Sequence, residues 1–372
     1  MTTKQRFNAI TNFSSPDRPM LSPLEAQNRV WAKLYERFQI PYQVNGDIDT
    51  IPTQYSGLDW HAHQVFMSKI GMEFRGVYPK YIGPKLKTYD DGSWDGIWGE
   101  RWKQSRYSSS GTYEETIFLP FAEIDSVTDL KAMQFPCADW FDYNEIETLC
   151  DMNDGHIIIA EGPGSADFIN GIAFGRGVEQ VLIDIATEDP VYLYLVEKRF
   201  EYTYERVKRT LEAAKRKIDI VRFGEDLGTQ LAPIINPESF KKIHAPKYRM
   251  LFELVHLYGA KTMLHSCGSV RSFIPILIDL GLDILEVVQV DAKDMDIKGL
   301  HKDFHKKIIF SGSMSVQSLL VRGSPEEIKT EINLRKELFH DGGLIIGPTN
   351  IMQVDMPIEN FIAMCDSIKE SG

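Results

Sequence analysis

From about residue 150 to its end, the sequence alternates between short apolar runs and longer amphipathic runs. The short runs are rich in Ile, Val and Leu and have the length of buried strands. They cover 156–160, 218–223, 261–265, 284–290, 307–311 and 344–346. The longer runs carry apolar residues at helical spacing and include 189–215, 237–258, 269–280 and 324–339. Six strand–helix units in succession predict a parallel sheet with helical crossovers.

Two observations favour a barrel over an open sheet. No predicted strand is followed by a G-x-G-x-x-G turn or a Walker-type loop, the usual marks of open nucleotide-binding sheets. Polar residues follow nearly every strand, and a barrel collects the carboxyl ends of its strands around one mouth. These residues are Glu161, Glu225, Asp226, His265, Cys267, Gln289, Ser311, Ser313, Thr349 and Asn350. We therefore expect an α/β fold, a (β/α)8 TIM barrel, built by residues 1–372 as a single domain.

The first 150 residues are aromatic and irregular by comparison. They predict an N-terminal helical and irregular extension that also supplies the first strands of the barrel. Segment 22–25 has a serine at an N-cap position, a proline at N1 and a glutamate at N3, so a helix is expected over 22–38. The two strands that a barrel still needs are expected near 51–55 and 74–78.

Charge and composition exclude several classes of function. The chain has 372 residues and a formal net charge of −12 without a basic block, so nucleic acids and anionic membranes are not expected partners. No run approaches the roughly 20 apolar residues that span a bilayer, and the N-terminus has no signal-peptide core. Four cysteines do not make a disulfide framework in a chain of this length, which indicates a reducing, cytoplasmic setting. A homodimer is compatible with these features.

The run TMLHSCG predicts a reactive pair at the end of a strand. Side chains alternate along a strand, so His265 and Cys267 point to one face and Ser266 to the other. An imidazole and a thiol are good zinc ligands, and a catalytic zinc ion has three protein ligands with a fourth position open. Gly268 lets the chain turn into the next helix. The competing interpretation is that Cys267 packs in the core while His265 only forms a hydrogen bond.

The run FGEDLGTQ ends another predicted strand. Its Glu225 and Asp226 are candidates for an oxygen ligand, a general base or a carboxylate partner of a histidine. The alternative is an acid pair that caps the loop by binding backbone amides. Gln289, which follows the strand at 284–290, is a further candidate catalytic residue.

Three other patterns are interpreted as structural. His301 and His305 lie among lysines on a solvated helix face, and His61 and His63 have no cysteine partner nearby in the sequence. The three tryptophans of WDGIWGERW (94–102) are typical of a core, with a substrate wall as the alternative.

Between about residues 224 and 360, several segments occur in a recognisable order and spacing. They are FGEDLGTQ, INPESFKK, HSCGSV, ILEVVQV, FSGSMSVQ with GSPEEI, and GGLIIGPTNIMQVDMPIENFIAM. In these segments the chain resembles the uroporphyrinogen decarboxylase superfamily, particularly its cobalamin-dependent methyltransferase branch. The resemblance implies a (β/α)8 barrel with an N-terminal helical extension. The M-R-Q-A-G-R-Y motif of the true decarboxylase is absent, which argues against uroporphyrinogen as the substrate.

For the methyltransferase branch, the resemblance implies that His265 and Cys267 bind zinc. The third ligand of that branch is a cysteine, or in many relatives a histidine, in the loop after the last strand, where this sequence has Asn350. An asparagine carbonyl is a weak zinc ligand compared with thiolate or imidazole. Glu225, Asp226 and Glu286 are therefore the candidates to complete the site in its place.

The function that these features predict is methyl transfer. Zinc would assist transfer between a corrinoid and a small methylated substrate or thiol, with O-demethylation of an aryl methyl ether preferred because the N-terminal region is aromatic. The sequence has no D-x-H-x-x-G cobalamin-binding motif, so the corrinoid is expected on a separate protein. One alternative is metal-independent decarboxylation of a small acid with an arginine such as Arg222 or Arg176. The other is a non-catalytic barrel that binds a corrinoid or its carrier protein.

Overall fold

The computed structural model describes residues 1–44, 48, 59–106 and 112–370. The chain divides into two units. The first unit comprises Met1–Phe74, Gln104–Glu115 and Val287–Gly372, and the second comprises Arg75–Lys103 and Thr116–Glu286. The strand expected near 51–55 lies outside the described residues.

The described residues form twelve strands, fifteen α-helices and two 3-10 turns. The strands are β1 (Phe74–Val77), β2 (Lys80–Tyr81), β3 (Trp94–Asp95), β4 (Arg101–Arg106), β5 (Thr112–Phe118), β6 (Phe141–Asp142), β7 (Ile157–Ala160), β8 (Ile220–Gly224), β9 (Lys261–His265), β10 (Ile284–Val288), β11 (Ile309–Met314) and β12 (Leu344–Pro348). The helices are α1 (Thr3–Thr11), α2 (Asn28–Arg37), α3 (Trp60–Lys69), α4 (Val127–Lys131), α5 (Ile146–Met152), α6 (Asn170–Arg176), α7 (Val178–Thr187), α8 (Pro190–Ala213), α9 (Pro237–Ile243), α10 (Ala245–Leu257), α11 (Ile274–Leu280), α12 (Ile297–Phe304), α13 (Leu319–Arg322), α14 (Pro325–Leu338) and α15 (Ile358–Lys369). The 3-10 turns are Ala138–Trp140 and Arg271–Phe273.

The second unit contains the strands that carry the candidate site. β1, β7, β8, β9 and β10 are neighbours in that order, and the pairings from β7 to β10 are parallel. β7, β8 and β10 are buried along their whole length, as expected for parallel strands covered on both faces. The register places His265 of β9 opposite Gly224 of β8 and Glu286 of β10. The polar residues of these three strands therefore meet at one edge of the sheet.

All six strands predicted after residue 150 are confirmed to within a few residues, and the strand expected near 74–78 is β1. The helix expected over 237–258 is two helices, α9 and α10, which meet at His244. The break has a local cause, because Pro246 lies in the first turn of α10 and has no N–H for a continuous helix. Gly281 ends α11 with a φ of +97°, the left-handed conformation expected of a glycine after a helix.

In the first unit, β11 and β12 pair in parallel, with Ser311 opposite Ile345. An extended segment near the N-terminus continues this pairing: Leu21 bridges to Ile346, and the Ser22 N–H donates to the Ile346 carbonyl over 2.8 Å. The helix expected from Ser22 therefore begins only at Asn28. The predicted start was wrong because pairing with β12 satisfies the backbone of this segment in an extended conformation.

No helix in the described part of the chain is long and apolar enough to cross a membrane.

Candidate metal centre

Three side chains of the second unit bring potential metal-binding atoms within 4.8 Å of one another: those of Asp226, His265 and Cys267. The Cys267 Sγ lies 3.0 Å from Oδ1 of Asp226 and 4.0 Å from Nε2 of His265. The His265 Nε2 lies 3.9 Å from the same Oδ1. Among the described residues, no other three His, Cys, Asp or Glu side chains form such a group.

The end of β9 places these groups through simple alternation. His265 is the last residue of the strand, and the side chain of Cys267 lies on the same face two residues later. Ser266 points the other way, is fully buried, and accepts the N–H of Leu227 at its Oγ over 3.1 Å. The backbone N–H of Cys267 donates to Oδ1 of Asp226 over 3.0 Å. The loops after β8 and β9 are thus joined at the cluster itself.

Two glycines allow those loops to approach so closely. Gly268 has a φ of +85°, and a Cβ at this position would lie 2.3 Å from the carbonyl oxygen of Gly228. A Cβ at Gly228 would lie 2.6 Å from the backbone nitrogen of Ser269. The Ser269 N–H closes the contact by donating to the carbonyl of Thr229 over 2.7 Å. A side chain at Gly268 or Gly228 would push Cys267 away from Asp226.

A buried ion pair stands behind His265. Its Nδ1 lies 3.7 Å from Oε2 of Glu286, and the same oxygen receives the Nε–H of Arg222. Glu286 is 2% exposed. At this distance the contact is electrostatic, and a carboxylate beside one ring nitrogen favours a proton there, which leaves the other nitrogen to face a metal.

Protonation of the cluster follows from these neighbours. Burial alone would lower the pKa of His265, but Cys267, Glu286 and Asp226 outweigh it and hold that pKa well above its usual range. Burial raises the pKa of the Cys267 thiol, and Asp226 adds to the increase. Without a cation the centre therefore holds a proton on both side chains. A metal ion would have to displace these protons.

The donor atoms fit a zinc ion. Zinc bonds of about 2.0–2.3 Å at tetrahedral angles separate two donors by roughly 3.3–3.6 Å. The three separations found here, 3.0, 3.9 and 4.0 Å, lie on either side of that range. The number of donors also fits, because catalytic zinc sites have three protein ligands, and nitrogen, sulfur and oxygen are all zinc donors.

Glu225, next to Asp226, is turned into the interior. Its Oε2 accepts the Phe168 N–H over 2.9 Å and the Tyr248 hydroxyl over 2.8 Å, and its Oε1 accepts the Ile169 N–H over 2.8 Å. This is the amide-binding role that the sequence left as the alternative for the acid pair. Asp226 instead is half-buried and faces the cluster.

Asn350 and Gln289 belong to the first unit. The Oδ1 of Asn350 accepts the backbone N–H of Ile351 over 2.7 Å. Gln289 is buried, and its backbone carbonyl accepts the N–H of Ala292 over 3.0 Å. The third donor found beside His265 and Cys267 is Asp226, one of the residues named above as a substitute for Asn350.

The arginines considered for a decarboxylase both have acidic partners. Arg222 pairs with Glu286, and Arg176 pairs with the buried Asp184 and also donates to the carbonyl of Ile124 over 2.8 Å.

The patterns interpreted as structural do make protein contacts. His305 lies 2.9 Å from Oδ1 of Asp341, and its ring stacks on that of His301. Trp98 packs edge-on against Tyr202, and Trp102 packs against Phe174.

Sequence reasoning overlooked Asn170. Its Nδ2 donates to Oδ2 of Asp226 over 3.1 Å, so it touches the cluster directly. It lies ten residues beyond the end of β7, away from the strand ends at which the sequence pattern predicts functional residues. The available sequence signal was the run EGPGSAD at 161–167, whose glycines and proline mark a long loop after β7.

Comparison with known proteins places these observations in a family. The model of the family described as uroporphyrinogen decarboxylase (URO-D) matches residues 176–371, just over half of the chain. Among solved structures, a methyltransferase from Methanosarcina mazei superposes with a TM-score of 0.65 at 13% sequence identity, covering 99% of this chain and 98% of that one. This likeness, with the succession of strands and helices, confirms the fold class as α/β of the TIM-barrel type. No curated protein matches the sequence significantly.

Proposed function

The chain belongs to the uroporphyrinogen decarboxylase family, and we propose that within it the protein is a zinc-assisted methyltransferase. The observation that carries the proposal is the convergence of Asp226, His265 and Cys267 on one point at the carboxyl ends of β8 and β9. The methyl group would pass between a small substrate and a corrinoid on a separate protein. The name of the Methanosarcina structure supports the reaction class.

The charges of the three donors support Asp226 as the third ligand. The family resemblance implies a cysteine or a histidine as the third ligand, and the form with cysteine has two anionic donors and one neutral donor. Asp226 with Cys267 and neutral His265 restores that balance, whereas the amide of Asn350 would leave one anionic donor. Two anionic donors compensate the charge of Zn²⁺ and leave a fourth position for substrate.

A bound zinc ion would supply Lewis acidity, stabilising a substrate thiolate or polarising the oxygen of a methyl ether. The residues around the cluster would orient the metal ligands. Glu286, paired with Arg222, lies 3.7 Å from Nδ1 of His265, while Nε2 lies on the side of the cluster. The Cys267 N–H donates to Oδ1 of Asp226 and so joins the two loops at the cluster.

For the substrate, we propose an aryl methyl ether. The proposal follows from the abundance of Trp and Tyr in residues 1–150, and Trp94, Trp98 and Trp102 of the β3–β4 hairpin are all partly exposed. The alternative substrate within the same reaction is a thiol acceptor, which the same cluster would bind through sulfur.

Metal analysis of the purified protein is the first test. We expect about one zinc per chain, lost in His265→Ala and in Cys267→Ala, and an affinity that rises with pH because zinc displaces two protons. The second test mixes the protein with a reduced corrinoid protein and methylated ethers, amines or thioethers, and follows the cobalt absorption spectrum. Methyl transfer that disappears in the zinc-free variants would support the proposal.

Two results would contradict it. A zinc-free protein that releases carbon dioxide from a small acid would favour the decarboxylase. A protein without zinc, whose binding to a corrinoid protein is unaffected by His265→Ala, would favour a non-catalytic barrel.

A further inference from the structure

We propose that Asn170 is a positioning residue that holds Asp226 in the orientation needed to serve as the third metal ligand. The proposal rests on the proposed function, because it concerns the same zinc site. It assigns a role to a residue outside the strand ends, on the first turn of α6.

The carboxylate of Asp226 is held from two sides. Its Oδ2 accepts the Nδ2–H of Asn170 over 3.1 Å. Its Oδ1 accepts the backbone N–H of Cys267 over 3.0 Å and faces the Cys267 thiol. The side chain is 35% exposed, so solvent alone would allow several rotamers. By donating to Oδ2, the Asn170 amide favours the rotamer of Asp226 in which Oδ1 faces Cys267 and His265.

Asn170 can do this because the start of α6 is held firmly. The N–H groups of Phe168 and Ile169 donate to the buried Glu225, and the N–H of Gly171 donates to the backbone carbonyl of Asp167 over 3.0 Å. The first amides of a helix have no partner within the helix. Here the buried Glu225 carboxylate takes up two successive amides at the start of α6, so unwinding of this turn would leave that carboxylate without two of its partners.

A buried arginine fixes the same turn from its other side. Arg199 donates through Nε to the carbonyl of Ala166, and through Nη1 to that of Gly171 over 3.3 Å. A Cβ at Gly171 would lie 2.0 Å from Nη2 of Arg199, so a larger residue would have to displace this guanidinium. The guanidinium in turn lies 5.0 Å above the ring of Trp98. Through Arg199, the β3–β4 hairpin that carries Trp98 therefore contacts the turn that bears Asn170.

The consequence is a pre-organised carboxylate. Removal of a partner that orients a metal ligand typically lowers metal affinity by about 10–100-fold. Loss of the Asn170 amide should weaken zinc binding by about that factor, while His265 and Cys267 remain in place as ligands.

The test compares zinc affinity in Asn170→Ala with that of the wild type, by competition with a chromophoric chelator. Asn170→Ser is a second variant, since serine is well tolerated at helix starts but is too short to reach Asp226. The matched control is Asn236→Ala, which removes an asparagine from the start of α9, where it caps the Glu238 N–H over 2.9 Å. Thermal unfolding of the metal-free proteins checks that each variant is folded.

We expect at least about a tenfold loss of zinc affinity in both Asn170 variants and no change in Asn236→Ala. With cobalt(II) as the probe, the variants should still show the thiolate-to-cobalt absorption band at saturation, because Cys267 remains a ligand. An unchanged affinity in a folded Asn170 variant, with a wild type that binds zinc through Asp226, would overturn this inference and leave the proposed function intact. A wild type that binds no zinc would overturn both.

Discussion

The Sγ of Cys267 lies 3.0 Å from Oδ1 of Asp226, and the backbone N–H of the same cysteine donates to the same oxygen. The two residues are 41 positions apart and follow neighbouring parallel strands. Their contact turns a histidine–cysteine pair into a set of three donors.

Substitution of Asp226 and substitution of Asn350, the two candidates for the third ligand, should have different effects on zinc binding. Asp226→Asn removes an anionic donor, so we expect zinc affinity to fall by more than the 10–100-fold typical of an outer partner. Asn350→Ala should leave the zinc content unchanged, because its Oδ1 is bound to the Ile351 N–H. Both are measured by metal analysis after dialysis against a chelator. The reverse pattern would make Asn350 the ligand.

The buried pair behind His265 should be sensitive to removal of one partner. Arg222→Met leaves Glu286 buried without this cation, and we expect a loss of about 3–5 kcal/mol in the free energy of unfolding, measured in urea. The double variant Arg222→Met/Glu286→Gln removes both charges and should recover part of that loss. Equal stability of the single and double variants would show that the ion pair is not the source of the effect.

Gly268→Ala should disrupt the centre through contact as well as backbone strain. Its Cβ would meet the carbonyl oxygen of Gly228 at 2.3 Å, and its φ is +85°. Gly155→Ala is a matched control, with a φ of +86° and no atom within 4 Å of the added Cβ. The control should lose about 1–2 kcal/mol of stability from strain alone. Gly268→Ala should lose clearly more and should also lose zinc. Equal stability losses, with zinc retained, would contradict the close approach of the two loops.

Substitution of Glu225 should lower the stability of the protein, whereas substitution of Asp226 should mainly affect metal binding. Glu225→Ala leaves the amides of Phe168 and Ile169 without a partner, and each buried unsatisfied group costs about 1–3 kcal/mol. Asp226→Asn should change the melting temperature of the metal-free protein far less. Thermal unfolding in the presence of a chelator measures both. A folded, equally stable Glu225→Ala would contradict the capping role.

Asp283 should make stability depend on acid pH. Against burial, His256 and the Thr262 N–H lower the pKa of this carboxyl in the folded protein. A lowered pKa in the folded state means that the stabilisation is present above the unfolded value of about 3.9 and is lost as the pH falls through the folded value. We expect Asp283→Asn to cost about 1.5–3 kcal/mol at pH 7, the usual contribution of hydrogen bonds to a charged group.

The difference between wild type and Asp283→Asn should shrink below pH 4, as followed by urea unfolding across the pH range. Asp279→Asn is the control, because that side chain is 78% exposed and pairs with Arg249 at the surface. Surface substitutions of this kind change stability by about 0.5 kcal/mol or less. A pH-independent effect of Asp283→Asn would contradict this assignment.

Local pattern was sufficient for much of the architecture. The runs that became β7 to β12 were recognised because each is short, apolar and bounded by turn residues. The pairing of His265 with Cys267 also followed from local geometry, since alternation along a strand is independent of the rest of the fold.

Local pattern failed where distant backbone competes. Segment 22–25 has the composition of a helix start, yet its backbone pairs with β12, more than 300 residues away in sequence. The helix begins at Asn28, where that pairing no longer holds the chain extended. Helix propensity is a weak preference that such tertiary hydrogen bonds override.

The sequence by itself determined the order of strands and helices, the family resemblance and the face shared by His265 and Cys267, because these depend on short-range periodicity and on motifs. Only the tertiary structure decided what surrounds that face. The register of β8 against β9 brings Asp226 to the thiol, turns Glu225 into the interior, and lets the first turn of α6 place Asn170 against the carboxylate. These contacts join residues 41 to 57 positions apart, and no local periodicity encodes such pairings.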